Sequence, residues 1–156
     1  MKQILLPAVA ILAAAIFLKA MPRPEPEDIP EWTLISETTT ATVYNAVPEQ
    51  CNADCFHTAS MYRIVPERIK QQRIVAMERT MMAEFGIAYG DSILVEGAGK
   101  YDGVWQVQDT MNKKYAGRHR IDFLVPKNIR HGLWTDVKVY IKNPDRYPKS
   151  QIYAKS

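Results

Sequence analysis

The sequence predicts a mainly β domain, a small closed barrel of six strands with one short helix capping an end. Three observations carry this. Six short β-rich runs, at 38–47, 73–77, 92–99, 103–109, 120–126 and 136–142, are separated by turn signals. Apolar and polar residues alternate through Val104-Trp105-Gln106-Val107-Gln108 and Val137-Lys138-Val139-Tyr140-Ile141, the period of strands buried on one face. The runs share about 120 residues, too few for two full stacked sheets, whereas closure into a barrel removes the exposed edges.

Before the domain, Ile4 to Leu18 is almost wholly apolar and follows the basic opening Met1-Lys2-Gln3. As a helix it would span roughly 22 Å, short of the roughly 30 Å of a bilayer core, and Pro7 lies inside it. Residues 1–20 therefore read better as a cleaved signal peptide than as a stable anchor; an uncleaved N-terminal membrane anchor is the alternative. Residues 21–36 open as MPRPEPEDIPE, whose prolines remove backbone donors and favour an extended tether. The domain is then 37–156. Its single helical signal is Glu78 to Phe85, made of good helix formers and stopped by Gly86. The remaining glycines fall mostly between the strand runs, where the chain must reverse.

With 156 residues the chain has room for one domain and a tail, not two domains. A hydrophobic content of 47% is enough to bury a core. The net charge of +3 is small and evenly mixed, so nucleic acid is not an expected partner. Within 37–156, basic residues outnumber acidic ones, a balance that suits an anionic polymer such as cell wall. The two cysteines, Cys51 and Cys55, sit as C-x3-C; in an exported protein they are expected to form a disulfide closing a small loop. A zinc site adding His57 is the sharper alternative, but no fourth ligand is evident, so neither metal nor cofactor is expected.

Asp109 ends one strand run and Asp122 lies in the next, so a barrel could bring both carboxylates to one rim. Paired acids suit glycoside chemistry: one must protonate a leaving oxygen, and a neighbouring charge or burial raises its pKa enough to keep the proton. The plainer reading has Asp109 capping a turn and Asp122 pairing with Arg118 or Arg120.

Three segments in order shift that balance: TATVYNAVPEQ with HTAS, then IVAMER, then GAGKYDGVWQVQDTMNKKYAGRHRIDF. Together they resemble the three-aspartate (3D) domain of the double-psi β-barrel superfamily, as found in membrane-bound lytic transglycosylase A and related to rare lipoprotein A, expansins and family 45 endoglucanases. The resemblance covers most of 38–142 and implies a six-stranded double-psi β-barrel. By position, Asp109 and Asp122 take the second and third aspartates, and the first falls on Glu78, a departure that favours binding or positioning over a role with strict geometry. Two further departures are a loop between Asp109 and Asp122 about two residues longer than usual and Met61 after TAS, where the family commonly has glycine.

The resemblance implies an exported peptidoglycan lytic transglycosylase of the periplasm or cell envelope, acting on glycan strands. Asp122 would be the principal acid and base, tuned by Asp109, with Glu78 as a third acid. Tyr44 would stack on a sugar face, with Thr42 and Thr58 beside it, while Lys114 and Arg118 would hold substrate carboxylates; a half-packed strand tyrosine and a solvated basic loop are the competing readings. Near Tyr44, where the endoglucanases keep a catalytic base, stand Asn45 and Ala46, so inverting hydrolysis is disfavoured. A lytic transglycosylase needs no such base, because the muramic acid's own 6-hydroxyl attacks the anomeric carbon and gives a 1,6-anhydro product. A non-catalytic, expansin-like wall-binding module is the alternative.

Overall fold

The computed structural model describes residues 32–50 and 54–142, and these form the expected mainly β, closed six-stranded barrel with a short helix. The strands are β1 (Trp32–Tyr44), β2 (Ile74–Met77), β3 (Ser92–Glu96), β4 (Gly103–Thr110), β5 (Arg120–Leu124) and β6 (Leu133–Lys142). They close in the order β1-β5-β2-β4-β3-β6. Two pairs are parallel, β1 with β5 and β2 with β4; the other four are antiparallel.

The strand β1 begins at Trp32, so 32–36 belong to the barrel rather than to the expected tether. Three register shifts against β6 bend it, which lets one 13-residue strand follow β6 along its length and still pair with β5 through 40–44. The expected signal segment 1–20 and the rest of the tether lie outside the described residues. Among the described residues no helix is long and apolar enough to cross a membrane.

Alternation sorts the side chains into two cores. Inward-facing Ala41, Val75, Met77, Val107, Ile121 and Phe123 join the main core. On the opposite face of β2 and β5, Ile74 and Leu124 meet Ile64 and Ile69 from the long excursion between β1 and β2, forming a second, smaller core. All four residues of β2 are therefore buried, which explains its unbroken apolar sequence IVAM. A one-turn helix α1 (Ile69–Gln72) leads into β2 through Arg73, whose φ of 47° is left-handed.

The predicted helix is present as α2 (Arg79–Glu84), with Met81 and Phe85 packed into the main core. Toward the end where β2 and β4 begin, aromatic rings fill the interior. Phe123 lies 4.5 Å from Trp105 and stacks on Tyr101 at 5.3 Å, and Trp134 meets Tyr101 edge-on at 5.1 Å between centroids. Gly132 is required beside this cluster, because a Cβ there would sit 2.5 Å from the Trp134 ring.

Phe123 is fully buried and touches three aromatic neighbours. Phe123→Ala is expected to cost about 3–5 kcal/mol, read as a lower urea midpoint with little change in slope.

Candidate functional site

The strand register brings the two predicted aspartates together. Thr42 on β1 pairs with Asp122 on β5, Asp122 pairs with Ala76 on β2, and Ala76 pairs with Asp109 on β4. Residues directly opposite one another share a face, so Thr42, Asp122, Ala76 and Asp109 form one row on the outside of the barrel. Two strand spacings, about 9.6 Å between backbones, separate the acids, and only the Ala76 methyl stands between them. A register shift after Val75 gives β4 an extra residue, Gln108, and this irregularity is what sets Asp109 opposite Ala76.

Asp122 is half-buried, and its Oδ1 accepts the hydroxyl of Thr42. Burial pushes its carboxyl above the ordinary value of 3.8, and the negative charge of Asp109 adds to the rise. The Thr42 hydrogen bond and the Arg120 charge pull down without cancelling it. Arg120 is in turn stacked over Tyr115, 4.6 Å from its ring centroid.

Asp109 is held by three donors. The Tyr44 hydroxyl donates to Oδ2 at 3.0 Å, while the Ala59 and Thr110 N–H groups donate to Oδ1 at 2.9 and 2.8 Å. Tyr44 is half-packed, its ring against the second core, and its hydroxyl reaches the acid. The Ala59 donor comes from the HTAS turn, where Met61 takes a left-handed φ of 65° and its N–H bonds to the Thr58 carbonyl at 2.9 Å. Ser60 fastens this turn to β4, with its hydroxyl 2.6 Å from the Gln108 side-chain oxygen.

Beside this row lies a cleft of about 480 Å3 whose wall includes Tyr44, Asp109, Thr58, Arg79, Lys113 and His57. Asp122 is not among its lining residues. Of the expected substrate-binding residues, Tyr44 and Thr58 reach the cleft, but Thr58 is buried and its hydroxyl bonds to Ser60 and to the Tyr62 N–H. Thr42 is occupied by Asp122. Lys114 and Arg118 are exposed and stand outside the cleft, Lys114 lying 5.0 Å over the Tyr115 ring.

Glu78 does not line the cleft, although the next residue, Arg79, does; it is the N-cap of α2. It is 1% exposed, and its two oxygens accept the Thr80 N–H at 2.6 Å and the Met81 N–H at 2.9 Å. Burial pushes its carboxyl up, but the donors from Thr80, Met81 and Gly117 together outweigh that and hold it below the ordinary 4.5. With both oxygens engaged by the backbone, Glu78 positions the helix.

Sequence reasoning missed Arg79 and Asp54 in the cleft wall, which also includes His57, considered from sequence only as a zinc ligand, and Lys113 of the basic loop between the two acids. Asp54 accepts the Phe56 N–H at 2.9 Å and lies 2.7 Å from His57 Nδ1. The phenylalanine N–H first and the histidine second hold the Asp54 carboxyl below its ordinary value. The i to i+3 spacing of Asp54 and His57 was the available signal. His119 also finds partners, with Ser36 at 3.3 Å and Glu84 at 3.0 Å, and so ties β1 to α2. Cys55 is half-buried with a free thiol, and Cys51, its expected disulfide partner, lies outside the described residues. No group of three or more metal-ligating side chains occurs among the described residues.

Two stability predictions follow from the opposite environments of these acids. Glu78→Ala is expected to cost about 1–2 kcal/mol, whereas Glu78→Asp keeps a good cap and most of the stability. Because the folded pKa of Glu78 is lowered, its contribution is complete above 4.5 and is lost as pH falls through the folded value, so urea midpoints of the parent and Glu78→Ala should converge in acid. For Asp122 the sign is reversed: ionisation is disfavoured in the folded state, so the charge is a liability once pH exceeds the raised pKa. Asp122→Asn should therefore raise Tm at neutral pH, and the gain should vanish at pH values below 3.8.

Compared with known proteins, the chain matches no family model and no curated protein.

Proposed function

We propose that this chain is an exported peptidoglycan lytic transglycosylase on a double-psi barrel of the three-aspartate type, cleaving between N-acetylmuramic acid and N-acetylglucosamine. The observation that carries the reading is the pairing of Asp122, whose carboxyl is pushed by burial above the ordinary value of 3.8, with Asp109 across Ala76. The two parallel strand pairs and the sequence resemblance support the same reading.

In this mechanism Asp122 begins protonated and gives its proton to the glycosidic oxygen as the bond to the muramic anomeric carbon breaks. Positive charge then develops at that carbon, where the Asp109 carboxylate supplies stabilising field. The Asp122 carboxylate next takes the proton of the muramic 6-hydroxyl as that oxygen attacks the anomeric carbon. The product is a 1,6-anhydro ring, no water is consumed, and Asp122 ends protonated. Thr42 fixes the Asp122 rotamer and Tyr44 fixes Asp109, so both residues position rather than react. Glu78 acts at a distance, by holding α2 in place.

A second reading, glycan binding without cleavage, draws on one observation: Asp122 does not line the 480 Å3 cleft, whereas Asp109 and Tyr44 do.

Incubation of the chain with purified sacculi, followed by mass analysis of the soluble fraction, separates the two. Anhydro-muropeptides are expected from the parent, with at least about a 100-fold lower rate for Asp122→Asn. The rate should fall as pH rises through the Asp122 pKa, because the first step needs its proton. Co-sedimentation with sacculi and no soluble product would replace the enzyme by the binding module.

A further inference from the structure

A second cavity, of about 310 Å3, lies at the end of the barrel where β2 and β4 begin. Trp105 in its wall precedes Asp109 by four residues along β4, about 13 Å of strand, so the cavity is separate from the acid row. The sequence segments behind the proposed catalytic reading assign it nothing.

Its wall combines three cations with an apolar floor. Lys70, Arg73 and Lys100 line it, and among its lining residues there is no carboxylate. None of the three forms an ion pair with a carboxylate among the described residues. Leu124, Pro126 and Ile129 supply the apolar part. Three like charges gathered without a counter-charge repel one another, and the repulsion is stronger beside low-dielectric walls than in open water.

Arg73 is built into place. Its guanidinium lies flat on Trp105, 4.1 Å from the ring centroid, while Nε donates to the Val104 carbonyl and Nη2 to the Asp102 carbonyl, both at 2.9 Å. Both acceptors are uncharged, and Nη1 has no acceptor among the described residues. Burial lowers the Arg73 pKa, as expected for a cation partly withdrawn from water. A fixed guanidinium with a free edge is the group best suited to a planar anion. Tyr101, also in the wall, is 8% exposed and buries its hydroxyl with no hydrogen-bond partner among the described residues.

We infer that this cavity is a binding site for a small amphipathic carboxylate, with the anionic group on Arg73, Lys70 and Lys100 and a short apolar body against Leu124, Pro126 and Ile129. The volume is at the small end for ligand pockets, which excludes a long chain. Neutral molecules lose the charge-assisted contacts, and fully polar anions leave the apolar floor wet.

Octanoate is the probe, titrated calorimetrically into the whole chain, with 1-octanol and acetate as the neutral and tail-less controls. Saturable one-site binding in the millimolar range or tighter is expected, with both controls at least about tenfold weaker. The double variant Lys70→Ala, Lys100→Ala should weaken octanoate about tenfold while its thermal unfolding stays that of the parent, because both lysines are exposed. Asp109→Asn should leave octanoate binding unchanged. Absence of octanoate binding, equal binding of octanol, indifference to the lysine substitutions, or sensitivity to Asp109→Asn would each overturn the inference. None of these outcomes bears on whether the chain cuts glycan.

Discussion

The four residues of β2 are covered on both faces, and the placement of every candidate group follows from that. Ile74 belongs to the outer core and Val75 and Met77 to the barrel interior, so the strand cannot slip by one position without exchanging its two apolar sets. Its neighbours run in opposite senses, β4 parallel and β5 antiparallel. Fixing β2 therefore fixes Asp109 and Asp122 on either side of Ala76, although the two are joined by a loop that itself determines little. The same strand follows directly on Arg73 and leads into Glu78, so the cationic cavity, the acid row and the helix cap all take their positions from one short element.

Two acids withdrawn from water, the buried Glu78 and the half-buried Asp122, meet opposite fates, and the difference is the number of donors. Glu78 receives backbone N–H groups from the first turn of α2, enough to overcome the cost of burial. Asp122 receives one hydroxyl and faces a second negative charge, and burial prevails. The first arrangement stabilises the fold and makes the group a poor proton donor. The second sacrifices some stability and leaves a carboxyl that keeps its proton longer, the compromise expected of a reacting group rather than of a structural one.

The strands were legible because their periods are clean. RIVAM was readable despite its brevity because an unbroken apolar run between turn signals suits a strand buried on both faces. The first half of β1 was not, since it follows the proline-rich stretch and its bulges interrupt the two-residue alternation. The start of β6, Leu133 to Thr135, was hidden for a similar reason: Asp136 carries a left-handed φ of 56° inside the strand. Asp109 and Asp122 were legible as a possible acid pair, one ending a strand run and the other inside the next, but Arg79 and Asp54 of the cleft wall were not. Arg79, His57 and Asp54 come to the cleft from segments far from Asp109 in the chain, and their meeting depends on register. Lys113 lines the cleft where the adjacent Lys114 does not, and sequence alone does not set the rotational phase of a single 3-10 turn.

The hydrogen bond from Thr42 constrains how Asp122 could react. Oδ1 is already accepting a hydroxyl, and Oδ2 makes no hydrogen bond among the described residues. A proton destined for a substrate is therefore best carried on Oδ2. The partner strand β1 stands on one side of Asp122, occupied by Thr42, and β2 on the other, occupied only by the methyl of Ala76. Ala76 is only 4% exposed, so the row between the two acids is closed, and in the proposed mechanism a glycosidic oxygen must reach Asp122 from its solvent-exposed edge. The other acid of the proposed pair, Asp109, has its orientation fixed by Tyr44, Ala59 and Thr110. The small residue at position 76 is thus part of the proposed site, because a larger side chain at this covered position of β2 would have to displace its neighbours in the acid row.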